Sequence, residues 1–67
     1  MNLKGLRLFR LVVATGSLSE AANRVNLSSS AASRLLSQLE AQLSLTLFSR
    51  SGRALMLTED GALFYQQ

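Results

Sequence analysis

The side chains best equipped for chemistry lie within one short stretch, from Ser28 to Gln38. Ser28, Ser29 and Ser30 stand together, Ser33, Arg34 and Ser37 follow, and Gln38 lies at the periphery. Wound as an α-helix, Ser30, Ser33, Arg34, Ser37 and Ala41 share a face without a large apolar side chain. Hydroxyls at a helix start, together with its free N–H groups, hydrogen-bond a phosphate. A guanidinium fork suits bidentate contact with a phosphate or a guanine edge. Small neighbours let such a helix approach base edges, and the major groove of duplex DNA admits one α-helix. The chemistry implied is recognition of a polyanion rather than bond making. A phosphoserine tract is a rival use of residues 28–30, although helix capping explains the first hydroxyl more simply.

Catalysis has little to work with. The chain contains no His and no Cys, which removes the usual general base, the commonest zinc ligand and any thiolate or disulfide chemistry. Its four carboxylates, Glu20, Glu40, Glu59 and Asp60, form no catalytic pair with a nucleophile. Neither an enzyme nor a bound metal or cofactor is expected. Net charge is +3, and six of the seven basic residues are Arg, a balance that favours a polyanionic partner or serves only solubility. No apolar run approaches the ~20 residues that cross a bilayer. The N-terminal MNLKGLRLFR threads Lys and Arg through its apolar residues, unlike a signal peptide. A cytoplasmic protein without a membrane partner is the expectation.

The polar stretch has to be held from behind, and the rest of the chain supplies the means. On the same helix, Ala32, Leu36, Leu39 and Leu43 form an apolar stripe suited to a core. A first helix is expected over about Leu3 to Ala14, with Leu6, Phe9 and Val13 inward and Leu3 and Val12 on the flanks. Lys4, Arg7 and Arg10 make a basic outer edge of that helix, chiefly a solvated face, with phosphate contact by Lys4 or Arg7 as its lesser use. Gly16 stops it. Ser17 and Glu20 then form a capping box, in which Glu20 reaches back to the cap. Leu18 and Val25 pack inward, and Ala21-Ala22 permits close helix approach. A tight turn at Asn26-Leu27 follows, Asn being the non-glycine residue that best tolerates positive φ. Leu27 plugs the core and Ser28 caps the next helix. Two short helices joined in this way make a helix-turn-helix, with the helix from Ser29 as its recognition element. A helical protein–protein or dimerisation module is the competing use of the same pattern.

Beyond Leu43 the apolar period shortens to two, and Arg50-Ser51-Gly52-Arg53 reads as a turn. A β-hairpin over about Phe48 to Leu57 is expected, forming a wing with Arg50 and Arg53 near its tip. These two would lie along a DNA backbone or enter the minor groove. An internal ion pair with Glu40, itself assigned to structure, is an equal alternative for Arg50. Thr58 caps a last helix, with Glu59 and Asp60 at its electropositive end. That helix reaches Gln67 without Gly, Asn or Pro to stop it, so the chain is expected to be the N-terminal part of something longer. The expected core is Leu6, Phe9, Ala22, Leu27, Ala32, Leu36, Leu39, Leu43, Leu47 and Phe48.

Taken together, these residues resemble the N-terminal DNA-binding domain of the LysR-type transcriptional regulators over essentially the whole chain. The shared pattern is Phe9 with Val12, Gly16-Ser17, Ala21-Ala22, Ser28, Ser33-Arg34, Leu39-Glu40, Leu47-Phe48-Ser49-Arg50, Arg53, Leu57-Thr58 and Gly61. The resemblance implies a mostly α winged helix-turn-helix over residues 1–57, with a three-helix core and a short hairpin wing. Residues 58–67 would begin a linker helix that pairs subunits into a homodimer or homotetramer. It further implies promoter or operator DNA as partner, and a small-molecule coinducer bound only by a domain outside this chain. The pattern is departed from in three places. Ser29-Ser30 stands where many members have Gln-Pro, which removes both a bidentate adenine contact and a preset helical φ. Ser44 stands where Gly is usual, so a looser end to the recognition helix is expected.

Overall fold

The computed structural model describes residues 3–51 and 54–66, giving the backbone alone at 50, 51 and 54. The elements run α1 (Leu3–Thr15), α2 (Leu18–Arg24), α3 (Ser29–Leu43), β1 (Phe48–Ser51), β2 (Ala54–Leu57) and α4 (Glu59–Tyr65). Helices α1, α2 and α3 pack on one another, and β1 and β2 form an antiparallel hairpin beside them. This is the mostly α winged helix-turn-helix expected.

Local chemistry sets the boundaries. Gly16 ends α1 at φ +71, where its N–H reaches the Val12 carbonyl at 2.9 Å. Ser17 caps α2, its Oγ accepting from the Glu20 N–H at 3.2 Å. The reciprocal half of the expected capping box does not form. Thr15 Oγ1 accepts the Ser17 N–H at 3.3 Å, which leaves the Glu20 carboxylate to pair with Arg24 one turn on, also at 3.3 Å. Asn26 takes the left-handed turn at φ 60, and Ser28 Oγ caps α3 by accepting from the Ala31 N–H at 3.1 Å. Ser44 occupies the position after α3 at φ 55, a conformation that costs a side-chain-bearing residue about 1 kcal/mol.

The core is built from Leu8, Phe9, Val12, Ala21, Ala22, Ala32, Leu36, Leu39 and Leu47, all buried. Leu6, Leu27, Leu43 and Phe48 pack against it half-buried. The inward face of α1 is therefore rotated by one position from the expected one. Leu8 is wholly enclosed, Leu6 and Val13 lie at the margin, and Leu3 is 75% exposed. Phe9 sets this orientation by meeting Phe48 and Phe64 at 5.5 Å between centroids and Tyr65 at 6.1 Å. These rings tie α1 to both the wing and α4.

Two hydrogen-bond clasps fix the hairpin. Glu40 on α3 accepts the backbone N–H groups of Leu47 at 2.6 Å and Phe48 at 3.1 Å, the structural role expected of it. At the other end the Thr58 N–H donates to the Leu47 carbonyl at 2.9 Å. The Thr58 hydroxyl points to the carbonyls of Thr46 and Leu47, and its oxygen caps α4 by accepting the Gly61 N–H at 2.9 Å. The strands then pair Phe48 with Leu57, Ser49 with Met56, Arg50 with Leu55 and Ser51 with Ala54.

Candidate nucleic-acid interface

The two stripes of α3 separate as their side chains require. Ala32, Leu36 and Leu39 point into the core, at most 6% exposed. Ser28, Ser29, Ser30, Arg34, Ser37 and Gln38 are exposed on the other side, and Ser33 is half-buried between the two. Among the expected contact residues of α3, Ser33 alone is partly withdrawn from the surface.

At the start of α3 the capping geometry leaves donors available. Ser28 Oγ takes the Ala31 N–H and the Ser28 carbonyl takes the Ala32 N–H. Among the described residues, the N–H groups of Ser29 and Ser30 remain at the mouth of the helix, as the first turn of any helix requires. The hydroxyls around them are linked in pairs, Ser28 with Ser30 at 3.3 Å and Ser29 with Ser19 of α2 at 3.4 Å. Ser19 is not among the residues expected here. Its signal is its place two residues after the Ser17 cap, which puts it in the first turn of α2 beside the first turn of α3. Clustered hydroxyls and N–H groups at a helix N-terminus suit a phosphate oxygen.

Further along, Arg34 lies in a shallow groove with Lys4, Leu27, Ala31, Leu35 and Gln38. No carboxylate lines that groove among the described residues, and the four acids are engaged or placed elsewhere. Glu20 pairs with Arg24, Glu40 turns back to the wing, and Glu59 and Asp60 occupy the first turn of α4. The groove along α3 therefore presents the charges of Arg34 and Lys4 with no carboxylate among its lining residues. The backbone of Arg50 lies in β1 opposite Leu55. The expectations for its side chain, including the ion pair with Glu40, and those for Arg53 fall outside the described residues. Among the described residues, no group of three or more His, Cys, Asp and Glu could hold a metal, and no helix is long and apolar enough to cross a membrane.

Comparison with known proteins places this geometry. The family described as bacterial regulatory helix-turn-helix protein, lysR family, matches residues 3–62. The HTH-type transcriptional regulator CrgA of Neisseria meningitidis is 39% identical over 66 residues, covering 98% of this chain and 22% of that protein. The full-length Vibrio cholerae virulence activator AphB, a member of the LTTR family, superposes with a TM-score of 0.90 at 39% identity, covering 100% of this chain and 23% of that one. The BenM DNA-binding domain, solved in complex with benA site 1 DNA, superposes with a TM-score of 0.87 at 35% identity, covering 98% of this chain and 74% of that one. The chain thus spans about a fifth of the length of its full-length relatives.

Proposed function

The chain belongs to the lysR family of bacterial regulatory helix-turn-helix proteins, and from that premise we propose that it binds double-stranded DNA sequence-specifically as the DNA-binding domain of a transcription regulator. The observation that carries this reading is the two-sidedness of α3. Its leucines anchor it while Ser28, Ser29, Ser30, Arg34, Ser37 and Gln38 stand free of the core. With side chains a helix is about 10–12 Å across and the major groove about 12 Å wide, so α3 enters with its outer face against base edges.

In this arrangement the first turn of α3, from Ser28 to Ser30, holds a backbone phosphate through hydroxyls and N–H groups. Arg34 and Ser37 contact base edges, Ser33 does so from a more recessed position, and Gln38 lies at the periphery. Arg53 and Arg50 act from the wing on the backbone or minor groove. No catalytic step is assigned to any residue. Residues 1–57 constitute the DNA-binding unit, and α4 begins the linker through which the full-length regulator pairs into dimers or tetramers in the bacterial cytoplasm. A single domain meets one half-site, so binding is weak until two are linked.

Selection from a pool of random-sequence duplexes tests this directly. Repeated capture on the chain enriches one half-site motif if the reading holds. A pool that stays random after capture contradicts sequence-specific binding.

A further inference from the structure

Lys4, Arg7 and Arg10 share one edge of α1, and the structure divides them. Arg10 lies over the Tyr65 ring at 5.6 Å from its centroid. Lys4 and Arg7 are exposed instead, and they line a cleft with Leu3, Arg24, Val25 and Asn26, where the start of α1 meets the turn after α2. Arg24 is matched there by Glu20. Lys4 and Arg7 have no carboxylate beside them in that cleft among the described residues. Lys4 also borders the groove along α3 that holds Arg34 and Gln38. Lys4 thus borders both the cleft and the groove along α3.

We infer that this cleft is a second backbone clamp, in which Lys4 and Arg7 each hold a phosphate of the strand that walls the major groove occupied by α3. The inference rests on the DNA-binding reading above. A helix that fills the groove has a row of phosphates along each flank. Lys4 borders the groove that holds Arg34, and Arg7 lies one turn along the same edge of α1. An ammonium serves there as a point charge and a guanidinium as a fork, and neither requires a particular base. The clamp adds affinity and fixes the angle at which α3 enters, without adding sequence preference. A purely structural role for the same two cations is to offset the negative C-terminal end of α2.

The test uses the chain, a fluorescent duplex of unselected sequence, and binding measured across a KCl series. Lys4→Gln with Arg7→Gln lowers the slope of log K against log salt by about 1.8, at about 0.9 for each phosphate no longer neutralised. Arg10→Gln removes a charge from the same helix and leaves the slope unchanged. Lys4→Arg with Arg7→Lys keeps the parental slope. Thermal unfolding of the double glutamine variant stays within a degree or two of the parent. The clamp is overturned if the parental chain binds with a steep slope that the double variant retains, or if Arg10→Gln lowers the slope as much per charge. A fall in thermal stability with an unchanged slope assigns the pair to the α2 terminus and overturns it equally. A parental chain that fails to bind duplex DNA removes the DNA-binding reading and the clamp together, an outcome distinct from the others.

Discussion

Gly61→Ala is the substitution for which the structure gives the sharpest prediction, because two effects of opposite sign compete at one atom. Ala is favoured over Gly within a helix by about 1 kcal/mol, so propensity alone predicts stabilisation. The structure predicts the reverse. A methyl group at residue 61 would fall on the Leu47 carbonyl oxygen and come within 2.7 Å of Leu57 Cδ1. The leucine side chain has room to turn, but the carbonyl does not. Leu47 is wholly buried, its N–H is held by Glu40 at 2.6 Å, and its oxygen receives the Thr58 N–H at 2.9 Å and the Thr58 hydroxyl at 3.1 Å. Overpacking costs about 1–3 kcal/mol. Each Thr58 bond released to relieve it costs a further ~0.5–1.5 kcal/mol. Against the propensity gain, the net is a loss of about 1–3 kcal/mol. In a domain of this size each kcal/mol is worth about 4–8 °C, so Tm falls by about 5–20 °C. Thermal and urea denaturation followed by circular dichroism measure it. A variant with an unchanged or raised Tm refutes the proposed crowding between α4 and the segment entering the wing.

Other substitutions probe the same frame from different directions. Ser44→Gly relieves the left-handed residue after α3 at a smaller entropic cost in the unfolded chain, and raises stability by about 0.5 kcal/mol; a lowered Tm contradicts the strain assigned to φ 55. Glu40→Ala leaves the Leu47 and Phe48 N–H groups without their acceptor and costs about 2–4 kcal/mol. Glu40→Gln keeps an acceptor oxygen and costs about half as much, so equal losses in urea titrations of the two variants would show that the amide bonds are not what Glu40 supplies.

The features legible in the sequence are those decided within a few residues. Ser17, Ser28 and Thr58 each cap the helix they precede, and Asn26 takes the left-handed turn, because a cap or turn needs only its own neighbours. The hairpin from Phe48 to Leu57 follows from a change of apolar period around a turn signal. Tertiary contacts decided the rest. Leucines at positions 3, 6, 8 and 11 surround α1, so periodicity leaves its orientation open. Phe48, Phe64 and Tyr65, distant in sequence, settle that orientation through Phe9. Glu20 pairs with Arg24, while the N–H of its cap goes to the Thr15 hydroxyl. The outward set on α3 was legible because stripes on one helix share one geometry, and Ser33 is recessed because it borders the buried Ala32 and Leu36 side. Ser19 meets Ser29, and Lys4 meets the Arg34 groove, only once three helices are packed.

Methylation protection at guanine N7 tests the central claim most directly, since that atom lies in the major groove and is the preferred partner of an Arg fork. Duplex carrying the selected half-site is treated with dimethyl sulfate, free and bound to the chain or to its Arg34→Ala variant. The parental chain is predicted to protect a guanine of the motif, and the variant to restore reactivity at that guanine while losing about 1–3 kcal/mol of preference for the motif. Protection at N7 that survives the substitution would remove Arg34 from the base contacts, and protection that appears only at minor-groove adenine N3 would contradict the placement of α3 in the major groove.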